Sequence, residues 1–178
     1  VEFAELAQIP VCTRRVGRGA MPEVHPHAFG SQVGRPVLSE ADLFVSLGMK
    51  VGFADGYGAT WPKRIIQINE SANQIWSFIS TQLAIVGSPK LVLQQMIECA
   101  KANKLKPSAD RGDWLKKVQE THLAGYKARS DKAMKYSKND PIHFGYLSKI
   151  VWDTAEDLYQ GMNRVIVDGF TISDYFPA

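Results

Sequence analysis

Gly17-Arg18-Gly19-Ala20-Met21-Pro22 holds the first two glycines of a phosphate-cradling fingerprint, with proline where the third belongs. Such a cradle aims the backbone N–H groups of a helix's first turn at a phosphate. This segment follows a strand without opening a helix, so its glycines read as shaping a turn. There is no P-loop, no Gly-x-Ser-x-Gly elbow and no paired-histidine zinc helix in the sequence. His25-Pro26-His27 puts two imidazoles in one loop, as a metal site or an acid–base pair would, with Glu23 as the nearby carboxylate. A structural turn explains those residues more simply. His143 stands at the head of a helix after Pro141 and reads as a capping or packing residue. No Ser/His/Asp or Cys/His arrangement is readable from spacing.

The most suggestive stretch runs from Gly48 to Trp61. Gly48-Met49-Lys50 follows one apolar strand and Asn69-Glu70-Ser71 the next, and parallel α/β sheets take ligands beyond the carboxyl ends of their strands. A cation beside one strand end and a ribose-bonding side chain beside its neighbour suit an adenine nucleotide. Ordinary loop polarity accounts for them equally well. Gly48, Gly52, Gly56 and Gly58, with Asp55, make the connection long on either reading.

The elements that must position these residues follow from apolar patterning. Residues 2–9 read as the end of an amphipathic helix carrying Phe3, Leu6 and Ala7 on one face. Pro10–Thr13 is expected to be a short buried strand, and Arg35–Ala41 a helix. Asp42–Gly48, Arg64–Asn69 and Leu83–Val86 are nearly continuous apolar runs, as strands covered on both faces are. Ser88 at the N-cap and Pro89 at the first helical position start a helix reaching Ala102. Strands spaced by helices or long crossovers predict a Rossmann-like α/β fold: a parallel sheet with flanking helices. Asn103–Gly112 reads as a polar linker. Asp113 to about Tyr136 reads as a long charged helix anchored by Trp114, Val118 and Leu123, broken at Ser137–Pro141. A further amphipathic helix, His143 to about Tyr159, carries Leu147, Ile150, Val151 and Leu158. Arg164–Gly169 starts a strand without sheet partners in the sequence, as the first strand of a second, truncated α/β domain would.

Composition fits a soluble globular chain: 178 residues, 45% hydrophobic and 22% charged. The net charge of +3 gives no argument for nucleic acid. The basic balance is local, eleven Lys/Arg against five Asp/Glu in residues 101–140, as on a solvated helical face. Cys12 and Cys99 match no metal or redox spacing and are expected to be buried, reduced thiols of a cytoplasmic protein. No apolar run approaches the roughly 20 residues of a membrane span. The opening at Val1, without an initiator Met, reads as the start of a fragment.

In order along the chain, several segments resemble the central domain of thiamine-diphosphate enzymes of the acetolactate synthase and oxalyl-CoA decarboxylase type. Ile9-Pro10-Val11 followed by Gly17–Pro26 is similar to the family's strand and "G-x-G-A-x-P-x-x-H-P" loop. Glu40–Lys50 resembles its "E-A-D" strand ending in "G-A-R", Ile65–Asn69 its "I-x-I-D" strand, and Val86–Lys90 its "V-G-D-x-K" helix start. Asp113-Trp114 is like the linker to the third domain, and Val165–Gly169 like that domain's first strand. The long glycine loop ending in Trp61 leans toward the oxalyl-CoA decarboxylase side.

The resemblance implies a central α/β domain at 1–102, a linker and charged helix at 103–140, and the start of a cofactor domain at 141–178. It implies a parent enzyme, a lyase, decarboxylase or carboligase, that makes or breaks a C–C bond next to a carbonyl of a small-molecule substrate. Thiamine diphosphate would be its electron sink, with Mg²⁺ on the diphosphate. The expected partners are the parent's N- and C-terminal domains, in a homodimer or homotetramer, with no nucleic acid and no membrane. Gly169, Phe170 and Thr171 match the turn that approaches the diphosphate. FAD, ADP or CoA are the groups a middle domain of this kind holds, with Gly48, Lys50 and Asn69 at the nucleotide. Lys50 stands where many members have Arg, and Asn69 where many have Asp. The Gly-Asp-Gly diphosphate motif and the glutamate that activates the thiazolium are expected outside these residues. The alternative is a stand-alone adenine-nucleotide-binding or regulatory α/β module without catalysis.

Overall fold

The computed structural model describes residues 1–14, 17–22, 25–30, 34–50, 57–75, 79–160 and 162, and of Arg35 the backbone alone. The helices are α1 (Glu2–Ala7), α2 (Gly34–Glu40), α3 (Pro89–Ala102), α4 (Asp110–Lys135) and α5 (Phe144–Tyr159). The strands are β1 (Phe44–Leu47), β2 (Ile65–Asn69) and β3 (Leu83–Val86). They form a parallel sheet in the order β1-β2-β3, so the Rossmann-like α/β architecture is the one expected. Contacts divide the chain into Val1–Gln119 and Glu120–Ala178, the boundary falling within α4.

In the first unit, β2 is the central strand. Phe44 to Leu47 pair with Ile65 to Ile68, and Ile66 to Asn69 with Leu83 to Val86. Burial on both faces is why β2 reads as an unbroken apolar run: Ile65, Gln67 and Ile68 are each at most 2% exposed. Alternation puts Val45, Leu47, Ile66, Ile68, Leu83 and Ile85 on one face of the sheet. The other carries Ser46, Gln67 and Asn69, all buried polar residues. The Gln67 carboxamide donates to the Thr81 hydroxyl, which satisfies a group that burial would otherwise penalise. β1 and β3 are the edges of the described sheet, and on β3 Leu83 and Val86 are about half exposed.

Helix α1 ends where Gln8 turns left-handed, and its carbonyls accept from the Gln8 and Ile9 amides. Arg111 Nη1 donates to the Ala7 carbonyl at 2.7 Å, a cation at the negative end of a helix. α1 packs on α3, and Lys101 Nζ lies 2.5 Å from Glu2 Oε1. Two apolar clusters complete the unit. Phe29, Val37 and Val118 are packed with Cys12 and Trp114, and Ala4, Met21 and Ala28 with Ile9 and Val11.

Several expectations need correction. Pro10–Thr13 does not form a strand of the sheet; Val11 makes one parallel bridge to Ala28. Pro10 has no N–H to extend a ladder, and the facing segment is a turn. Cys99 is exposed, because an apolar stretch of helix such as α3 covers only part of its circumference, and Cys12, outside any helix, is half-buried. Leu123 is 62% exposed, whereas Leu115, Val118, His122 and Ala133 are the buried residues of α4. Leu115, Val118 and His122 lie three and four residues apart on one stripe, and Leu123 falls beside it. The helix starts at Asp110, three residues earlier than expected. There the Ser108 hydroxyl, then the backbone amide and the Arg111 charge, hold the Asp110 carboxyl below its ordinary range.

In the second unit, α5 starts at Phe144, one residue later than expected, and ends at Tyr159 as expected, but its buried residues are Gly145 and Ser148. Leu147, Ile150, Val151 and Leu158 are exposed by 38–68%. His143 caps the helix: its Nδ1 accepts from the Gly145 amide at 3.1 Å. Its ring stacks between Tyr136 and Phe144, at centroid distances of 3.9 and 4.3 Å. His143→Ala is therefore expected to cost about 1–2 kcal/mol, read as a lower urea midpoint. His143→Asn keeps a capping oxygen and should recover part of that loss; equal losses in both variants would assign the effect to the stack alone. The expected strand at Arg164–Gly169 lies outside the described residues.

Candidate functional site

The glycine turn forms as expected. Gly17 donates to the Arg14 carbonyl, Ala20 to that of Gly17, and Gly19 has φ of +88°. Met21 then drops into the Ala4–Ala28 cluster at 2% exposure, so the segment is anchored by packing. Its neighbours His25 and His27 also have structural work. His25 Nε2 lies 3.1 Å from Glu5 Oε1, while its Nδ1 accepts from the His27 amide at 3.1 Å. His27 Nδ1 faces the Ala4 carbonyl at 3.1 Å. A carbonyl accepts only, so the proton of His27 sits on Nδ1; in His25 it sits on Nε2. The pair pins its loop to α1. Among the described residues no group of three His, Cys, Asp or Glu is placed to hold a metal ion.

The remaining candidate is the row of strand ends. Gly48 leaves β1 at φ of +62°, a left-handed conformation that glycine adopts without strain, and its amide donates to the Ile68 carbonyl at 2.8 Å. The Gly87 amide likewise donates to the Asn69 carbonyl at 2.8 Å. These two bonds continue the parallel ladder one residue past each outer strand and bring Gly48, Asn69 and Gly87 to one end of the sheet. Lys50 lies just beyond and is exposed.

Sequence reasoning placed these residues but missed how Asn69 is used. Asn69 is 9% exposed, and its Oδ1 accepts from the Ser71 amide at 3.3 Å. The signal was present: asparagine two residues ahead of a turn amide closes an Asx turn. Ser88 occupies the N-cap of α3 as expected, yet its side chain makes no capping bond. Pro89 follows, and its Cγ stands 3.7 Å from the position a Cβ would take on Gly48. The space beside Gly48 is thus bounded by a pyrrolidine ring that has no N–H to offer. Gly169, Phe170 and Thr171 lie outside the described residues. Elsewhere, Phe3, Met96, Cys99, Ala100, Asn103 and Leu105 line an open apolar groove of about 410 Å³ along α1 and α3.

Three parallel strands with flanking helices make this a Rossmann-like α/β domain, and comparison with known proteins gives the family. Residues 1–96 match the family described as "Thiamine pyrophosphate enzyme, central domain", and the chain belongs to that family. It is 30% identical over 132 residues to a probable acetolactate synthase large subunit of Methanocaldococcus jannaschii, covering 67% of this chain and 21% of the relative. It is 30% identical over 152 residues to a sulfoacetaldehyde acetyltransferase of Roseovarius nubinhibens, covering 79% and 24%. An acetolactate synthase of Mycobacterium avium is 27% identical over 147 residues, covering 75% and 23%. The chain therefore spans about a fifth to a quarter of the length of the curated relatives it matches. No described helix is long and apolar enough to cross a membrane.

Proposed function

We propose that this chain is the middle domain of a thiamine-diphosphate-dependent enzyme that makes or breaks a C–C bond next to a carbonyl. The observation that carries this reading is the family match over residues 1–96, in a segment that folds as a parallel sheet. Relatives named as acetolactate synthases and as an acetyltransferase support a reaction of the transferase or lyase type. When bound, thiamine diphosphate supplies an electron sink for charge developing beside the carbonyl. The chain's own part is to scaffold: residues 1–102 hold the sheet, 103–140 connect, and 141–178 begin the cofactor domain. Gly169 and Phe170 would offer backbone amides to the diphosphate, and Thr171 its hydroxyl. Mg²⁺, a homodimeric or homotetrameric assembly and a cytoplasmic setting belong to the same proposal.

The test compares the full-length protein with this chain. Calorimetry with Mg²⁺ and thiamine diphosphate is expected to give saturable binding by the full-length protein. Thr171→Ala there should weaken it up to about tenfold, the loss of one neutral hydrogen bond. The 178-residue chain alone is expected to show no saturable binding. A full-length protein that ignores thiamine diphosphate would sink the enzyme reading, and a micromolar dissociation constant for the chain alone would sink its role as scaffold.

A further inference from the structure

An adenine nucleotide at the carboxyl ends of parallel strands needs two things from the protein. Its ribose diol wants an acceptor, usually a carboxylate, at the end of a strand, and its phosphates want amides at a helix N-terminus. Both positions are occupied differently here. At the end of β2 the side chain is a carboxamide, 9% exposed, whose oxygen already accepts from the Ser71 amide. What Asn69 retains toward a ligand is chiefly its NH₂, a donor, where a diol calls for a charged acceptor. At the start of α3 the first residue is Pro89, which contributes no N–H, and its ring stands against Gly48, the glycine that would allow a close approach. Beyond them Lys50 is an exposed single charge on a flexible stem, with no planar fork to hold a phosphate in two bonds.

We infer that the strand-end crevice of this domain takes no adenine nucleotide, neither FAD nor ADP nor the nucleotide end of CoA, and that Asn69 and Pro89 are the residues that close it. The sheet that other nucleotide-type domains use to hold a ligand serves here only to carry its neighbours. The inference goes beyond the proposed function, since thiamine-diphosphate chemistry stands whether or not a nucleotide binds in the middle domain.

The test titrates ADP, CoA and FAD into the 178-residue chain and into Asn69→Asp/Pro89→Ala, with far-UV circular dichroism to establish that each is folded. The wild-type chain is expected to show no saturable binding up to roughly 1 mM of each ligand. The double variant restores an ionised acceptor and a helix-end amide, and should bind ADP at least about ten- to a hundredfold more tightly. If the double variant fails to fold, Pro89→Ala alone, which leaves the Asn69–Ser71 bond intact, should show the smaller part of the gain. Two results overturn the inference. One is wild-type binding of ADP or CoA that Lys50→Ala weakens, which makes the crevice a working site. The other is silence in every folded variant, which removes Asn69 and Pro89 as the cause. Neither result touches thiamine-diphosphate binding by the full-length protein, so the two readings fail separately.

Discussion

Ile68→Ala is expected to lower the stability of the chain by about 3–5 kcal/mol, in the upper part of the range for removing a buried isoleucine. Ile68 is 1% exposed at the middle of the sheet, level with Leu47 of β1 and Ile85 of β3. Those neighbours are fixed by the parallel ladders on both sides and cannot collapse into the space vacated, so the cavity term adds to the lost transfer energy. Against a total stability of about 5–15 kcal/mol for a domain, the loss is large. Leu123→Ala is the control: at 62% exposure it should stay within about 0.5 kcal/mol of wild type. Urea unfolding followed by circular dichroism measures both. Equal midpoints for the two variants would mean that the sheet is not the cooperative core.

The contrast between Ile68 and Leu123 marks what the sequence discloses. Short-range punctuation sets element bounds: Gly87-Ser88-Pro89 ends β3 and starts α3, and both elements have the bounds expected. A run such as Ile65-Ile66-Gln67-Ile68 is legible because burial on both faces requires an apolar residue at almost every position. The long helices were legible as helices, and so were Trp114 and Val118 as anchors of α4, but the rest of the face it buries was not. Its composition is so polar that Leu123 looked like an anchor, while the buried stripe uses Leu115, Val118 and a histidine. Which side of a weakly patterned helix is covered depends on what stands beside it, and that is set by residues distant in sequence. Pro10–Thr13 failed for the same reason, since a strand needs a partner that its own residues cannot specify.

The candidate site divides similarly. That Gly48 and Asn69 come to one end of the sheet follows from two apolar runs and the rule of parallel strands, both visible in the sequence. The bond from the Ser71 amide to Asn69 is local and had a signal in their spacing, whereas the approach of Pro89 to Gly48 depends on the docking of a helix about forty residues further along the chain. The histidine loop was legible too. Two imidazoles in three residues could have been a reactive pair, but the simpler reading as a structural turn holds: both make backbone and carboxylate contacts with α1 and within the loop.

Gly58→Ala is expected to cost about 2–5 kcal/mol, although alanine adds a single methyl group. Gly58 has φ of +75°, where an L-residue is disfavoured by about 1–2 kcal/mol. Its surroundings leave no room either. A Cβ there would lie 2.6 Å from Ile79 Cγ2 and 3.4 Å from the Trp61 ring. The methyl of Ile79 is attached directly to Cβ, so a rotation about the end of a flexible side chain cannot relieve the contact. Trp61 in turn stands edge-on to Phe44 at 4.6 Å, and its amide donates to the Gly58 carbonyl at 3.0 Å. The strain therefore passes from the loop to the first residue of β1, and near-ultraviolet circular dichroism should change along with the urea midpoint. Ile79→Ala in the Gly58→Ala background separates the two causes. It should recover the part due to the clash, about 1–3 kcal/mol before the loss of Ile79's own packing, and leave the backbone part untouched. A Gly58→Ala protein as stable as wild type would show that the turn does not hold glycine in this conformation; a full recovery in the double variant would assign the whole cost to the clash and none to φ.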